Sequence, residues 1–328
     1  MSKYRNRLPQ LNQGLFVTDA GLETTLIFHQ KLELPLFAAF DLLKDDAGTA
    51  VLRRYFERYV EIAASHNLGV ILESATWRAS RDWGNRLGYD EVMLADANRR
   101  AIGLLLEIRA ISETPATRIV ISGNIGPRGD GYQPSSRMSV REAADYHKVQ
   151  IATFAESDAD MVAAFTMNYV EEAIGVTTAA KAIGMPIAVS FTLETDGRLP
   201  SGDSLEDAIV RTDDATDAYP VYYMINCAHP THFEHVLNGA PWTARIRGLR
   251  ANASRKSHRE LDESTELDEG NPQELGQQYC DLSEKLPALA VVGGCCGTDH
   301  RHVASICEAL KDANESPRSA TGNNRRLR

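Results

Sequence analysis

Eight short β-rich runs, each followed by a longer amphipathic stretch, recur along the whole chain, and no other feature restricts the fold as strongly. Parallel strands cannot be joined by tight hairpins and need a crossover, usually a helix, so this alternation predicts βα units. The strands are expected at residues 15–19, 69–75, 118–124, 160–166, 186–192, 221–227, 245–251 and 289–294. Between them the spacing is helical, as in Val51, Tyr55, Tyr59, Ile62 and Ala63, or Val170, Ala173, Ile174, Thr177 and Ala180. Thr298-Asp299 supplies an N-cap before the last helix. Eight such units in about 300 residues fit an α/β fold of the (β/α)8 TIM barrel type, typically about 250 residues or more. The rival is a doubly wound open sheet, but no Gly-x-Gly-x-x-Gly follows the first strand; the residues there are Thr18-Asp19-Ala20-Gly21-Leu22-Glu23-Thr24. In a barrel the active site lies at the carboxyl ends of the strands, where Asp19, Glu73, Asn124, Asn226, Cys227, Asn252, Cys295 and Cys296 fall.

The barrel is expected over residues 15–314, with an N-terminal extension at 1–14 and a disordered tail at 315–328 that is rich in Asn, Ser and Arg. A formal charge of -10, with basic residues clustered only at the very end, argues against nucleic acid as a partner. No apolar h-region follows the basic residues of Met1 to Arg7, and no apolar run approaches the roughly 20 residues of a transmembrane helix, so no membrane partner and a cytoplasmic location are expected. In such a location Asn252-Ala253-Ser254 loses meaning as a glycosylation acceptor, and Arg128-Gly129-Asp130 reads as a loop. The acidic segment from Glu260 to Gly270 reads as a solvated face.

Five cysteines, an odd number, do not suggest a secreted disulfide framework. Two of them are adjacent in Val291-Val292-Gly293-Gly294-Cys295-Cys296-Gly297, at the end of an apolar strand. Glycines there let backbone approach a ligand, and thiolates suit Zn2+, which binds sulfur at about 2.3 Å. The best third ligand is Cys227, in Met224-Ile225-Asn226-Cys227-Ala228-His229-Pro230, again at a strand end. Three protein ligands leave one tetrahedral position open, as in a catalytic zinc site. Cys280 and Cys307 fall within helical patterns and read as buried small hydrophobes.

Four segments together resemble the homocysteine S-methyltransferase family: Thr18-Asp19-Ala20-Gly21-Leu22-Glu23-Thr24, Gly123-Asn124-Ile125-Gly126-Pro127, Asn226-Cys227 and Gly293-Gly294-Cys295-Cys296-Gly297. The resemblance runs from about residue 15 to residue 310. It implies a (β/α)8 barrel, one Zn2+ per chain held by Cys227, Cys295 and Cys296, and methylation of homocysteine. The implied partners are a small-molecule thiol and a methyl donor, with assembly into a homo-oligomer left open. By the same resemblance Asp19 helps hold the amino acid, Asn226 fixes the zinc loop through its amide, and the amides of Gly293 and Gly294 approach the substrate carboxylate. Zinc removes the proton of a bound thiol, and the thiolate is the good nucleophile.

The pattern breaks after strand four. Where the family carries a glutamate for the homocysteine ammonium, this chain has Phe165 in Ala163-Ala164-Phe165-Thr166-Met167. A ring can meet an ammonium by cation-π attraction, worth about 0.5–2 kcal/mol, with less geometric selection than a carboxylate. Glu73, at the end of strand two, offers a relocated ammonium contact; the alternative is a structural carboxylate paired with Arg78 or Arg81. Trp77, Trp83 and Tyr89 are candidates for an aromatic wall around a donor cation, or for the core of a lid. His229, His232 and His235 are expected to leave two of the three in solvent. The expected function is zinc-dependent methyl transfer from S-methylmethionine or S-adenosylmethionine to homocysteine, giving methionine. The alternatives are another small thiol or selenol as acceptor, and a noncatalytic metal- or redox-sensing barrel with a vicinal Cys295–Cys296 disulfide.

Overall fold

The computed structural model describes residues 1–134 and 136–315. The tail expected to be disordered therefore lies, past Glu315, outside the described residues. Eight parallel strands close into a barrel in sequence order: β1 (Phe16–Val17), β2 (Gly69–Glu73), β3 (Ile119–Ile125), β4 (Met161–Met167), β5 (Ile187–Thr192), β6 (Tyr222–Asn226), β7 (Ile246–Ala251) and β8 (Val291–Gly294). Closure is made by β8 pairing with β1, Phe16 opposite Val291 and Val17 opposite Val292. The first strand is shorter than the expected 15–19, yet its backbone keeps the ladder going. The Thr18 amide donates to the Val292 carbonyl at 2.7 Å, and the Gly294 amide donates to the Asp19 carbonyl at 3.0 Å.

The outer helices are α1 (Asp46–Ser65), α2 (Glu91–Ser112), α3 (Val140–Glu156), α4 (Val170–Ile183), α5 (Leu205–Thr216), α6 (Pro230–Phe233), α7 (Pro272–Lys285) and α8 (His300–Glu315). Seven are full helices, whereas the β6–β7 crossover shrinks to the single turn of α6 followed by a 3-10 turn, Pro241–Arg245. Caps start them where the sequence offers side-chain oxygens. Asp45 accepts from the Gly48 amide, and Ser139 with Glu142 forms a full capping box. In α1 the buried face is Leu52, Tyr55, Phe56, Tyr59, Val60 and Ala63, rotated slightly from the expected stripe because Val51 and Ile62 sit at its edge. No helix among the described residues is long and apolar enough to cross a membrane.

The barrel interior is packed, not a pore. Phe16, Ile71, Val120, Met161, Tyr222 and Met224 form one cluster along its axis. The N-terminal extension closes the mouth opposite the strand ends that carry the cysteines. Leu8 joins the axial cluster and is buried, while Tyr4 and Leu11 pack against it. Asp160, just before β4, anchors this plug: it accepts from the Tyr4 amide at 2.7 Å and pairs with buried Arg109 at 2.6 Å. A buried Leu truncated to Ala loses transfer energy and leaves a cavity. Leu8→Ala is expected to lower the unfolding free energy by about 2–4 kcal/mol in urea denaturation; no change would show that the segment is a loose appendage.

Candidate metal and substrate site

Cys227 follows β6 directly, and Cys295 and Cys296 follow β8, so β7 lies between the two segments. The loops are tied by backbone hydrogen bonds: the Cys227 amide donates to the Arg250 carbonyl at 3.1 Å, and the Cys295 amide to the Ala251 carbonyl at 2.8 Å. Cys227 takes a left-handed conformation, φ 52°, unusual for a residue with a Cβ and costing about 1–2 kcal/mol. It is the sharp turn by which a strand end aims its thiol at the barrel axis. The three sulfurs lie within 4.8 Å of one another, and among the described residues this is the one group of side chains with metal-ligand character. Thiolates on a tetrahedral zinc stand roughly 3.8 Å apart, so number, type and closeness of these donors fit that ion. In the structure the sulfurs of Cys227 and Cys295 are joined and Cys296 is free. Burial pushes the Cys296 thiol up, and the Tyr132 hydroxyl, 3.5 Å from its sulfur, works against that rise.

Asn226 braces the cluster. Its Oδ1 accepts from the Thr166 amide at 3.0 Å and from the Ser190 hydroxyl at 2.7 Å, and its Nδ2 donates to Thr166 Oγ1 at 2.9 Å and lies 3.9 Å from the Cys295 sulfur. Gly293 and Gly294 are required by close packing. A Cβ on Gly293 would run into the Thr18 hydroxyl and one on Gly294 into the Thr298 hydroxyl, and the Gly294 amide is spent on the Asp19 carbonyl. Neither glycine lines the cavity above the cysteines. The Gly294 amide expected to approach a substrate carboxylate thus has a carbonyl of the protein as its partner.

The residue that sequence reasoning missed is Arg250, the inward-facing cation near the end of β7. Its Nη1 pairs with Asp19 at 2.8 Å, Nε donates to the Gly294 carbonyl at 3.0 Å, and Nη2 donates to the Ala20 carbonyl at 3.0 Å. Burial opposes its charge, but Asp19 and Glu73 more than offset this and raise its pKa. Asp19, expected to help hold the amino acid, has its carboxylate paired with Arg250 and accepting from the Tyr55 hydroxyl at 3.0 Å. Phe165, expected to meet an ammonium through its ring, already carries the Arg250 guanidinium 5.0 Å from its centroid. The available signal was a second arginine, at the carboxyl end of the β7 run Ile246-Arg247-Gly248-Leu249-Arg250-Ala251.

Glu73 stands differently. It is buried at the strand end, lines the same cavity as the cysteines, and its Oε2 has no hydrogen-bond partner. It does not pair with Arg78 or Arg81; Arg81 has its Nε 3.6 Å from Asp82 instead. Glu23, also on the cavity, shares its electrostatic state: burial pushes both carboxyls up to about 7. The aromatic wall expected for a donor cation is occupied by the protein's own cations. The Arg78 guanidinium lies 3.6 Å from the Trp83 centroid and 4.7 Å from that of Trp77, and Arg86 lies 4.6 Å from Trp83. Tyr89 is engaged with Asp41 and Phe40. His229 and His232 are buried and only His235 is exposed, the reverse of the expected majority, because the short α6 turns both inward; His232 Nε2 sits 2.9 Å from the Arg255 carbonyl. Asp262, from the acidic segment read as a solvated face, reaches the cavity.

The Glu73 carboxyl gives a signed prediction. Its folded pKa, raised by burial to about 7 from 4.5, means the folded chain binds this proton more tightly, so stability falls as pH rises from about 4.5 through about 7. Glu73→Gln keeps the neutral form at all pH values. In ligand-free protein it is expected to stabilise by about 3 kcal/mol at pH 8 and by almost nothing at pH 4.5. Thermal melts at the two pH values check this, and a pH-independent change would contradict it.

Comparison with known proteins agrees with this geometry. Three solved structures of the homocysteine methyltransferase MmuM from Escherichia coli share the fold. The metallated form has 19% identity and a TM-score of 0.69, covering 92% of this chain and 96% of that one. The oxidized form has 20% identity and a TM-score of 0.70, covering 90% and 96%. The apo form has 20% identity and a TM-score of 0.63, covering 92% and 97%. No functionally curated protein matches the chain. The family model described as homocysteine S-methyltransferase matches residues 16–310, nearly the whole barrel, and the chain is a methyltransferase belonging to the homocysteine S-methyltransferase family.

Proposed function

We propose that this enzyme transfers a methyl group from a sulfonium donor, S-methylmethionine or S-adenosylmethionine, to the sulfur of homocysteine, giving methionine. The observation that carries the reading is the convergence of the Cys227, Cys295 and Cys296 sulfurs within 4.8 Å on the cavity at the carboxyl ends of the strands. With the Cys227–Cys295 pair reduced, these three side chains would hold Zn2+, which supplies the Lewis acidity that keeps an acceptor thiol deprotonated at neutral pH. Such thiols remain unpaired in a reducing cytoplasm.

The chain's own residues do the rest. Asn226 fixes the Cys295 loop, and the Tyr132 hydroxyl faces the Cys296 sulfur. Glu73 presents its unpartnered oxygen to the ammonium of the amino acid, and the arriving cation draws its carboxyl to the ionised form. In the transfer, the lone pair of the acceptor sulfur forms the new S–C bond. The donor's C–S bond breaks, and its electron pair stays on the departing thioether. Charge is dispersed as the sulfonium is neutralised, which a cavity with half-dry walls favours.

A second reading keeps this chemistry and changes the acceptor to another small thiol or selenol; it is favoured by Arg250, which covers both Asp19 and Phe165.

Protein loaded with zinc is expected to contain one ion per chain by metal analysis, and Cys296→Ser to lose it. Incubated with homocysteine and, in turn, S-methylmethionine, S-adenosylmethionine and betaine, it is expected to form methionine with a sulfonium donor. No methionine from any of the three would sink the homocysteine reading and favour the altered acceptor. Glu73→Gln that left the homocysteine KM unchanged while zinc stayed bound would remove Glu73 from the ammonium site.

A further inference from the structure

Two guanidinium groups line the cavity, and they differ in what they already hold. Arg250 is ion-paired with Asp19 through Nη1 and donates to two carbonyls through Nε and Nη2, so its charge is already matched within the protein. Arg78 is stacked between Trp77 and Trp83, and its Nε is buried with no hydrogen-bond partner. Its nearest acids, Asp130 and Glu23, act on it through space and none of the ion pairs among the described residues joins them to it. Trp77 Nε1 is a second buried donor without a partner.

Stacking uses the faces of a guanidinium and leaves its edge, where the N–H donors are. That edge matches a carboxylate in a two-point contact, and the indoles fix its orientation in advance. Burying a guanidinium N–H without a partner, as at Arg78 Nε, costs free energy unless something arrives to pair with it. The Gly294 amide is taken by the Asp19 carbonyl and neither Gly293 nor Gly294 lines the cavity, which leaves the Arg78 edge, not balanced by an ion pair among the described residues, and the unpartnered Glu73 oxygen facing a ligand.

We propose that Arg78 is the carboxylate-recognition residue of this cavity and takes the α-carboxylate of an amino acid ligand. The inference rests on reading the cavity as the methyl-transfer site. Both the thiol acceptor and an amino acid sulfonium donor carry such a group, and the two sources are separable by kinetics.

The decisive experiment is calorimetric binding of methionine and of 3-(methylthio)propylamine, which is methionine without its carboxylate, to the zinc-loaded protein. Wild type is expected to bind methionine roughly 30-fold more tightly than the amine. Arg78→Met should reduce that preference to less than about threefold, with affinity for the amine unchanged, and Arg78→Lys should fall between. Should Arg78→Met fail to fold, Arg78→Lys and the wild-type preference carry the test. A wild type that does not prefer methionine, or variants that weaken both ligands by the same factor, would overturn the proposal. A rise in the homocysteine KM alone in Arg78→Lys places the acceptor's carboxylate on Arg78; a rise in the sulfonium donor's KM alone places the donor's. Because binding needs no turnover, failure to form methionine would reject the proposed reaction without deciding Arg78.

Discussion

The buried Arg250 guanidinium holds the working end of this barrel together. One side chain reaches from β7 to Asp19 and the Ala20 carbonyl after β1 and to the Gly294 carbonyl of β8, and so clamps the seam at which the barrel closes. The cysteine loops hang from the same seam, since the Cys227 amide bonds to the Arg250 carbonyl and the Cys295 amide to that of Ala251. A buried ion pair is a poor source of net stability, because desolvation consumes most of its attraction, but it is severe about geometry. Here it fixes which carboxylates and which rings are left for a ligand.

That choice has electrostatic consequences across the cavity. Asp19 is ion-paired with Arg250 and the Phe165 ring lies against the same guanidinium, so both residues expected to meet the substrate already have a partner in the protein. Among the other charges on the cavity, Glu73 has an unpartnered oxygen and Arg78 lies against two indoles with its Nε unpartnered. An acid and a base lying unpaired on one cavity cost the free protein stability, a cost that a zwitterionic ligand would repay on binding. The Phe165 position and the Arg250 position thus read as one coupled departure from the family pattern.

Much of the architecture was legible in the sequence because strands buried on both faces are continuous apolar runs, and their ends carry the polar residues. All eight strand ranges agree to within two residues at each end; β1 is the most shortened, two residues against five, because its last bonds are loop-like. The cysteine trio was legible because thiols beside glycines at strand ends have few other uses. Arg250 was not, since its partners Ala20 and Asp19 lie some 230 residues away and only barrel closure brings them together. For the same reason Asp19 looked free. Arg78 was hidden in another way: Trp77 and Trp83 suggested a receptor for a foreign cation, and only packing shows that a local one fills it. His229 and His232 were misplaced because Pro230 suggests an exposed helix start, whereas the short β6–β7 crossover tucks that turn against the barrel.

The central claim is that the Cys227, Cys295 and Cys296 sulfurs form a metal site with one position left for an acceptor thiolate. Zinc-edge X-ray absorption on the zinc-loaded protein, with and without homocysteine, addresses it directly. The account predicts three sulfur neighbours at about 2.3 Å in the absence of the thiol and four in its presence. A sulfur count that stays the same when homocysteine is added, or a zinc surrounded mainly by nitrogen and oxygen, would contradict it.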